Sequence, residues 1–214
     1  MRLRLTFSKT GWLIYCSHLD LMRVWERALR RARLPLAYSG GYNPRAKIQL
    51  ARALPLGHVG EQEILDAWLE KPTSSEDVSS ALMPVLPEGL TIKDVQQVDP
   101  KAPAMQTRVI ATVYRVTIEW DGSREEIGKR LGRASDADEL LHERGGRRYN
   151  LRPLIEDLDL TEATADTVTL RMQLSARPRA TGRPEAVLDV LGLGEAYVRY
   201  YRERLILTDE TEES

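Results

Sequence analysis

Alternating apolar and polar positions near the N-terminus predict a β-strand, which a helix and a glycine-rich loop then follow. Residues 2–7 alternate between polar or charged and apolar side chains, as expected of a half-buried strand. From Ser17 onward the apolar residues recur with helical spacing, so they fall on one side of a helix. Ser17 is a suitable N-cap, Asp20 favours the positive end of the helix dipole, and Leu34-Pro35 predicts the end of the helix.

The same patterns predict a βαββαβ order of elements twice along the chain, which is the order of a ferredoxin-like fold. In the first half we expect further strands at 48–51, 63–70 and 90–95, with a helix from Ser74 or Ser75 to about Leu82 or Met83. In the second half we expect strands at 111–120, 139–143, 147–151, 167–174 and 197–207, with helices at 123–131 and 184–191. Residues 157–166 have no assignment.

The sequence therefore predicts an α+β protein of two ferredoxin-like (βαββαβ) domains in tandem. Their expected bounds are 1–98 and 109–208, joined by a proline- and alanine-containing linker at 99–108 and followed by a disordered acidic tail at 209–214. The tryptophans are expected to fill the cores; they are Trp12, Trp25, Trp68 and Trp120.

The charge of the chain is distributed unevenly, although the net charge is only -1. Residues 1–52 hold 11 Lys and Arg against 2 Asp and Glu, so the remainder of the chain is acidic. A basic end on a nearly neutral chain indicates a localised contact with a polyanion.

The basic residues concentrate on the outward face of the first predicted helix and on the loop after it. Five arginines are predicted to share that face with Asp20 and Glu26, and Arg is the side chain best suited to bind phosphate through paired hydrogen bonds. Glycine-rich backbone can approach an anion closely, and tyrosine can stack on a base. The candidate nucleic-acid or phosphate ligands are Arg23, Arg27, Arg30, Arg31, Tyr38, Gly40, Gly41, Tyr42, Asn43, Arg45, Lys47 and Arg152. The alternative is a solvated helix surface with internal ion pairs.

The cysteine content of the chain and the spacing of its histidines restrict the chemistry that it can perform. The single cysteine, Cys16, excludes an internal disulfide and a cysteine-ligated iron–sulfur cluster or zinc site built by this chain alone, and it favours a cytoplasmic location. No apolar run has the length of a membrane span, and no histidine spacing indicates a metal site. Ser17 is expected to act as a cap, which leaves His18 as a weak candidate for a catalytic base.

Several motifs resemble the radical SAM-associated (radical SAM-linked) family, a domain of unknown function. The N-terminal motifs are Cys16-Ser17-His18-Leu19-Asp20, Tyr38-Ser39-Gly40-Gly41-Tyr42-Asn43-Pro44-Arg45 and Ala53-Leu54-Pro55-Leu56-Gly57. Two further segments are similar to weaker C-terminal motifs of the family: Arg147 to Ile155, and Arg183-Pro184-Glu185. In that family the domain is encoded beside, or fused to, a B12-binding-type radical SAM protein. The resemblance implies a radical SAM partner, which alone would hold the iron–sulfur cluster and S-adenosylmethionine; this chain is expected to bind no cofactor.

These observations lead to one preferred hypothesis and two alternatives. The preferred function is a non-catalytic accessory module that recognises RNA, either tRNA or rRNA, for a radical SAM enzyme. One alternative is an RNA-processing or RNA-modifying enzyme that uses His18. The other is a subunit that docks on an acidic protein surface through its arginines.

Overall fold

The computed structural model describes residues 1–208, which form a mixed α+β protein. The chain divides into two compact units, Met1–Val109 and a second unit that begins at Ile110. The tail at 209–214, which the sequence predicts to be disordered, lies outside the described residues.

The first unit is a four-stranded antiparallel sheet with two longer helices. Its elements are β1 Arg2–Lys9, α1 His18–Arg31, β2 Ile48–Leu50, β3 Val59–Trp68, α2 Ser75–Leu82, β4 Leu90–Val98 and the single-turn helix α3 Met105–Arg108. Two 3₁₀ helices cover Gly11–Tyr15 and Met83–Val85. The strand order is β4-β1-β3-β2, and each neighbouring pair is antiparallel.

The second unit repeats this order of elements and adds a hairpin. Its elements are β5 Val109–Glu119, α4 Arg124–Asp136, β6 Leu141–Arg144, β7 Arg147–Asn150, the 3₁₀ helix Arg152–Leu154, β8 Ile155–Ala163, β9 Thr167–Arg177, β10 Ala180–Thr181, α5 Pro184–Val190 and β11 Val198–Leu207. β5 lies between β11 and β9, and β8 and β10 both pair with β9. The β6–β7 hairpin turns at Gly145-Gly146, where both residues have the positive φ that a two-residue turn of type I′ requires.

The core of the first unit forms where one face of β1 meets the apolar side of α1. Leu3, Leu5 and Phe7 alternate along β1 and are fully buried, as strand geometry requires for residues that share a face. Trp25 of α1 packs edge-on against Phe7, with ring centroids 4.8 Å apart. This contact fixes which side of α1 faces the sheet, and therefore which side faces solvent.

A buried ionic network lies on the opposite face of the same strand. Arg2 and Asp66 each have 1% of the side chain exposed, and the Arg2 guanidinium donates to Asp66 Oδ2 and stacks over Trp68. Arg4 Nε donates to the other carboxylate oxygen of Asp66 at 2.9 Å. Burial of these charges is tolerable because each is paired and hydrogen-bonded.

The segment predicted to be a linker is packed into the first unit. Arg2 donates to the backbone carbonyls of Ala102 and Pro103, and Met105 is fully buried. Gln106 bonds to the side chain of Gln49 and to the carbonyl of Leu50. The proline- and alanine-containing composition indicated only a linker, whereas the buried Arg2 requires carbonyl partners that this segment supplies.

Other differences from the sequence predictions have local causes. The unassigned residues 157–166 lie largely in β8, an edge strand whose many acids and few apolar residues weaken the strand pattern. α4 continues to Asp136, five residues beyond its predicted end, because Ala134 still packs in the core.

Trp12 was predicted to be a core residue, but 57% of its surface is exposed, so that prediction is wrong.

We expect Asp66→Ala to lower the free energy of unfolding by about 3–5 kcal/mol, because it leaves the buried Arg2 without its carboxylate partner. Urea denaturation followed by circular dichroism measures this loss. Glu143→Ala is the matched control, since it breaks the solvent-exposed Arg148–Glu143 pair and should change stability by about 1 kcal/mol or less. Equal effects of the two substitutions would contradict the role assigned to Asp66.

Candidate nucleic-acid interface

Helix α1 begins at a hydrogen-bonded cap that uses both Ser17 and Asp20. The Asp20 backbone N–H donates to Ser17 Oγ at 3.2 Å, and the Ser17 hydroxyl donates to Asp20 Oδ2 at 2.7 Å. The predicted N-cap is therefore confirmed. Because the hydroxyl and the carboxylate bond to each other, they hold the helix start in place and form no relay with His18.

The apolar side of α1 is buried and its arginine side faces solvent. The buried stripe consists of Leu21, Trp25, Ala28 and Leu29. The exposed basic residues of the helix, which we call the arginine face, are Arg23, Arg27, Arg30 and Arg31. Helical spacing alone requires this separation once the apolar stripe is seated on the sheet.

Two of these four arginines have acidic partners on the same helix. Arg23 contacts Asp20 at 3.2 Å, and Arg30 approaches Glu26 at 3.9 Å. The guanidinium groups of Arg27 and Arg31 form no hydrogen bond or ion pair with any residue of the described chain. The arginine face therefore presents two guanidinium groups whose donors are satisfied only by solvent or by a ligand.

Arg33 does not belong to the helix, although the sequence predicted it as a fifth arginine on this face. The helix ends at Arg31, and Arg33 adopts a left-handed conformation with φ of 56°. Its N–H bonds to the carbonyl of Arg30, and the N–H of Leu34 bonds to that of Leu29. This pair of bonds is a Schellman motif, which turns the chain before Pro35.

The loop after α1 is closed by hydrogen bonds at its base. Ala37 accepts a bond from Lys47, and a β-bridge links Tyr38 to Ala46. Ser39 accepts a bond at its Oγ from the N–H of Arg45, whose carbonyl accepts from the N–H of Ser39. The base of the loop is therefore a short ladder of hydrogen bonds.

The tip of this loop consists entirely of exposed residues. They are Gly40, Gly41, Tyr42, Asn43 and Pro44, and Arg45 and Lys47 are exposed beside them. Tyr42 is 100% exposed, and Tyr38 at the base is 39% exposed. Two tyrosines, two cations and open glycine backbone are thus presented together by one short loop.

Arg152, predicted as a further phosphate ligand, bonds to the protein itself. Its guanidinium donates to the backbone carbonyls of Ile155 and Ser135 at 3.2 and 3.1 Å, so it stabilises the start of β8. Its neighbours Arg144 and Arg147 at the tip of the β6–β7 hairpin are exposed, and Arg148 pairs with Glu143. We therefore assign Arg152 a structural role.

His18 lacks the surroundings expected of an activated base. The residue is half-buried, and its Nδ1 is shielded from solvent without a hydrogen-bond partner in residues 1–208. An orienting partner on one ring nitrogen is the usual sign of a catalytic histidine.

No group of three or more potential metal-ligating side chains occurs in the described part of the chain. In residues 1–208, the structure also has no helix with the length and apolar character of a membrane span.

An exposed aromatic residue beside the arginine face was missed by the sequence prediction. Trp12 lines a groove of about 280 Å³ together with Arg27, Arg31 and the segment Pro84–Pro87. The signal in the sequence was weak: Gly11 precedes Trp12, and two prolines bracket Val85-Leu86. The contact between these segments depends on the tertiary fold.

The chain belongs to the family described as an uncharacterized protein conserved in bacteria (DUF2344), whose model matches residues 2–184. No curated protein matches it in sequence. Nothing in the family or structural matches ties the chain to radical SAM proteins.

Several solved structures have a similar fold. They include a Cbf5-Nop10-Gar1 complex with a TM-score of 0.55, an H/ACA RNP bound to a substrate RNA containing 2'-deoxyuridine with 0.53, and an archaeal box H/ACA sRNP Nop10-Cbf5 complex with 0.51. Each is 12% identical in sequence, and each match covers 98% of this chain. The chain spans about half the length of the matched chains, with 51%, 50% and 50% covered. At this identity the likeness concerns the fold.

The hydrogen bond from Ser17 and the nearby Arg23 hold the pKa of Asp20 below its usual value of 3.8. A carboxyl group with a lowered pKa stabilises the folded state above its unfolded pKa, and this contribution is lost as pH falls through the folded pKa. We expect Asp20→Asn to lower the melting temperature at about pH 7, and we expect its difference from the wild type to shrink as pH falls below 3.8.

Ser17→Ala is the companion variant, and it should raise the Asp20 pKa toward 3.8 by removing the first cause of the shift. An NMR titration of the Asp20 side-chain carboxyl carbon measures this change. If Asp20 titrates identically in the wild type and in Ser17→Ala, the hydrogen bond from Ser17 does not lower the Asp20 pKa.

Proposed function

We propose that this protein binds RNA through the arginine face of α1 and the loop Tyr38–Lys47, and that it serves as a recognition module. The observation that supports this most directly is the exposure of Arg27 and Arg31 without acidic partners in residues 1–208. Both groups lie on the same helix face as Arg23 and Arg30, and the exposed cations Arg45 and Lys47 lie on the loop that follows, so the unpaired charge belongs to a larger basic surface.

The type of basic residue favours a phosphate-bearing ligand. Each guanidinium group offers a planar fork of N–H donors that matches two phosphate oxygens, and phosphate contacts supply most of the affinity for nucleic acid. The exposed cations of the loop, Arg45 and Lys47, extend the same chemistry beyond the helix. Contacts of this kind position a nucleic acid without reading its sequence.

The exposed tyrosines favour RNA with unpaired bases. Tyr42 is fully exposed at the loop tip and has no packing role there. Aromatic side chains stack on splayed bases in loops and single strands, where sequence-specific RNA recognition is concentrated. Two of the solved structures of similar fold are H/ACA RNPs, and one of them is bound to a substrate RNA, which adds support.

The strand order within each unit supports a more specific assignment of the fold. With the β6–β7 hairpin and the two-residue β10 set aside, each unit has the element order βαββαβ. In each unit the first strand lies between the third and the fourth, and the second strand pairs with the third. We infer that both units are ferredoxin-like, an arrangement whose open sheet and helices are used in many unrelated functions. The inferred function therefore depends on the site and not on the fold.

The radical SAM partner and its cofactors stay a prediction from the sequence resemblance alone. The family and structural matches do not support that link. RNA binding by the arginine face is independent of it, because that proposal depends on residues of this chain.

Binding of labelled total tRNA at several salt concentrations tests the proposed function. We expect Arg27→Gln/Arg31→Gln to reduce affinity by about tenfold or more, because two charge-assisted contacts are lost. The slope of log affinity against log salt should fall by about 1.4, since each phosphate contact to a single strand contributes about 0.7.

The matched control is Arg124→Gln/Arg133→Gln, which removes the same charge from two exposed arginines of α4. This control should bind tRNA with nearly wild-type affinity and slope. Salt-insensitive or absent binding by the wild type would refute the proposal, and equal losses in both double variants would refute the assignment to α1.

A further inference from the structure

The groove beside the arginine face combines an exposed indole with an apolar wall. Trp12, the apolar residues Val24 and Ala28 of α1, and residues 84–87 all line the groove. Its volume of about 280 Å³ is close to the lower limit of roughly 300 Å³ for small-molecule sites, so it suits a single planar group.

Trp12 is held at this position by a rigid segment. Leu13, the next residue of the 3₁₀ helix, is fully buried, and the N–H of Thr10 donates to the carbonyl of Gly89 at 2.8 Å. Gly89 has a φ of +93°, and an added Cβ would lie 2.6 Å from the carbonyl oxygen of Thr10. The close contact of these two turns keeps the start of the 3₁₀ helix next to the segment that follows α2.

The positive charge of the groove limits what can occupy it. Arg27 and Arg31 both line it, and neither has an acidic partner in the described chain. The occupant must therefore bury a flat apolar surface against Trp12 and the prolines while it presents negative charge to the guanidinium groups. A nucleotide unit combines these properties in one group, because its base stacks on aromatic side chains and its phosphate binds arginine.

We propose that the groove binds one unpaired nucleotide of an RNA strand, with its base stacked on Trp12 and its phosphate on Arg27 and Arg31. This inference rests on the proposed RNA binding and adds the form of RNA that is recognised. A base inside a duplex is already stacked on its neighbours and cannot enter the groove. The protein thus prefers single-stranded segments or loops to continuous duplex.

Binding of a fluorescein-labelled 12-nucleotide RNA to the 214-residue chain, as a single strand and as a perfect duplex, tests this preference. We expect Trp12→Ala to weaken binding of the single strand by roughly 5- to 150-fold, the usual effect of removing one stacking aromatic residue. Trp12→Phe should restore most of the affinity because it keeps an aromatic ring. Duplex binding, which uses phosphate contacts only, should stay within about twofold.

Tyr15→Ala is the matched control, because Tyr15 lies on the same 3₁₀ helix, is 74% exposed and does not line the groove. This variant should bind the single strand like the wild type. Equal losses from Trp12→Ala and Tyr15→Ala, or no loss from either, would overturn the inference while leaving RNA binding itself intact. Failure of the wild type to bind either RNA would instead refute the proposed function, and the inference with it.

A protein ligand would produce a different result. If an acidic, tyrosine-containing peptide binds the wild type and Trp12→Ala abolishes that binding while RNA affinity is unchanged, the groove belongs to a protein partner and the inference is wrong.

Discussion

The packing of Trp25 against Phe7 determines how the first unit presents its charges. With the ring centroids 4.8 Å apart, the contact holds the apolar stripe of α1 on the buried face of β1. Because side chains on opposite sides of a helix cannot both face a core, the arginine face must then point to solvent. The amphipathic packing that stabilises the unit thus also creates its basic surface.

The other face of β1 shows how the chain stabilises charge that it does bury. Arg2 and Arg4 share the carboxylate of Asp66, and Arg2 also bonds to carbonyls of residues 102 and 103. Arg27 and Arg31 differ from these residues because no group in the described chain compensates them. The same residue type therefore stabilises the fold where partners surround it, whereas the guanidinium groups of Arg27 and Arg31 are open to the ligand that we propose.

The geometry divides the proposed RNA contacts into two kinds. The guanidinium groups of α1 and the cations of the loop suit phosphates, which every RNA offers. Tyr42 at the loop tip and Trp12 in the groove suit bases that have left a stack. Only the second kind distinguishes unpaired from paired RNA, and it depends on two aromatic side chains that contribute little to the core.

The sequence alone determined the features that follow from local periodicity and capping. These include the amphipathic α1, its Ser17 cap, the Gly145-Gly146 hairpin and the basic loop, because each depends on residues within a few positions of one another. Only the tertiary structure decided that Arg152 bonds to Ser135, that residues 102–106 pack against distant residues of the first unit, and that Trp12 lines a groove with residues 84–87. Those contacts join segments that lie far apart in the chain, so neither the composition of the sequence nor the spacing of its residues predicts which partner a side chain contacts.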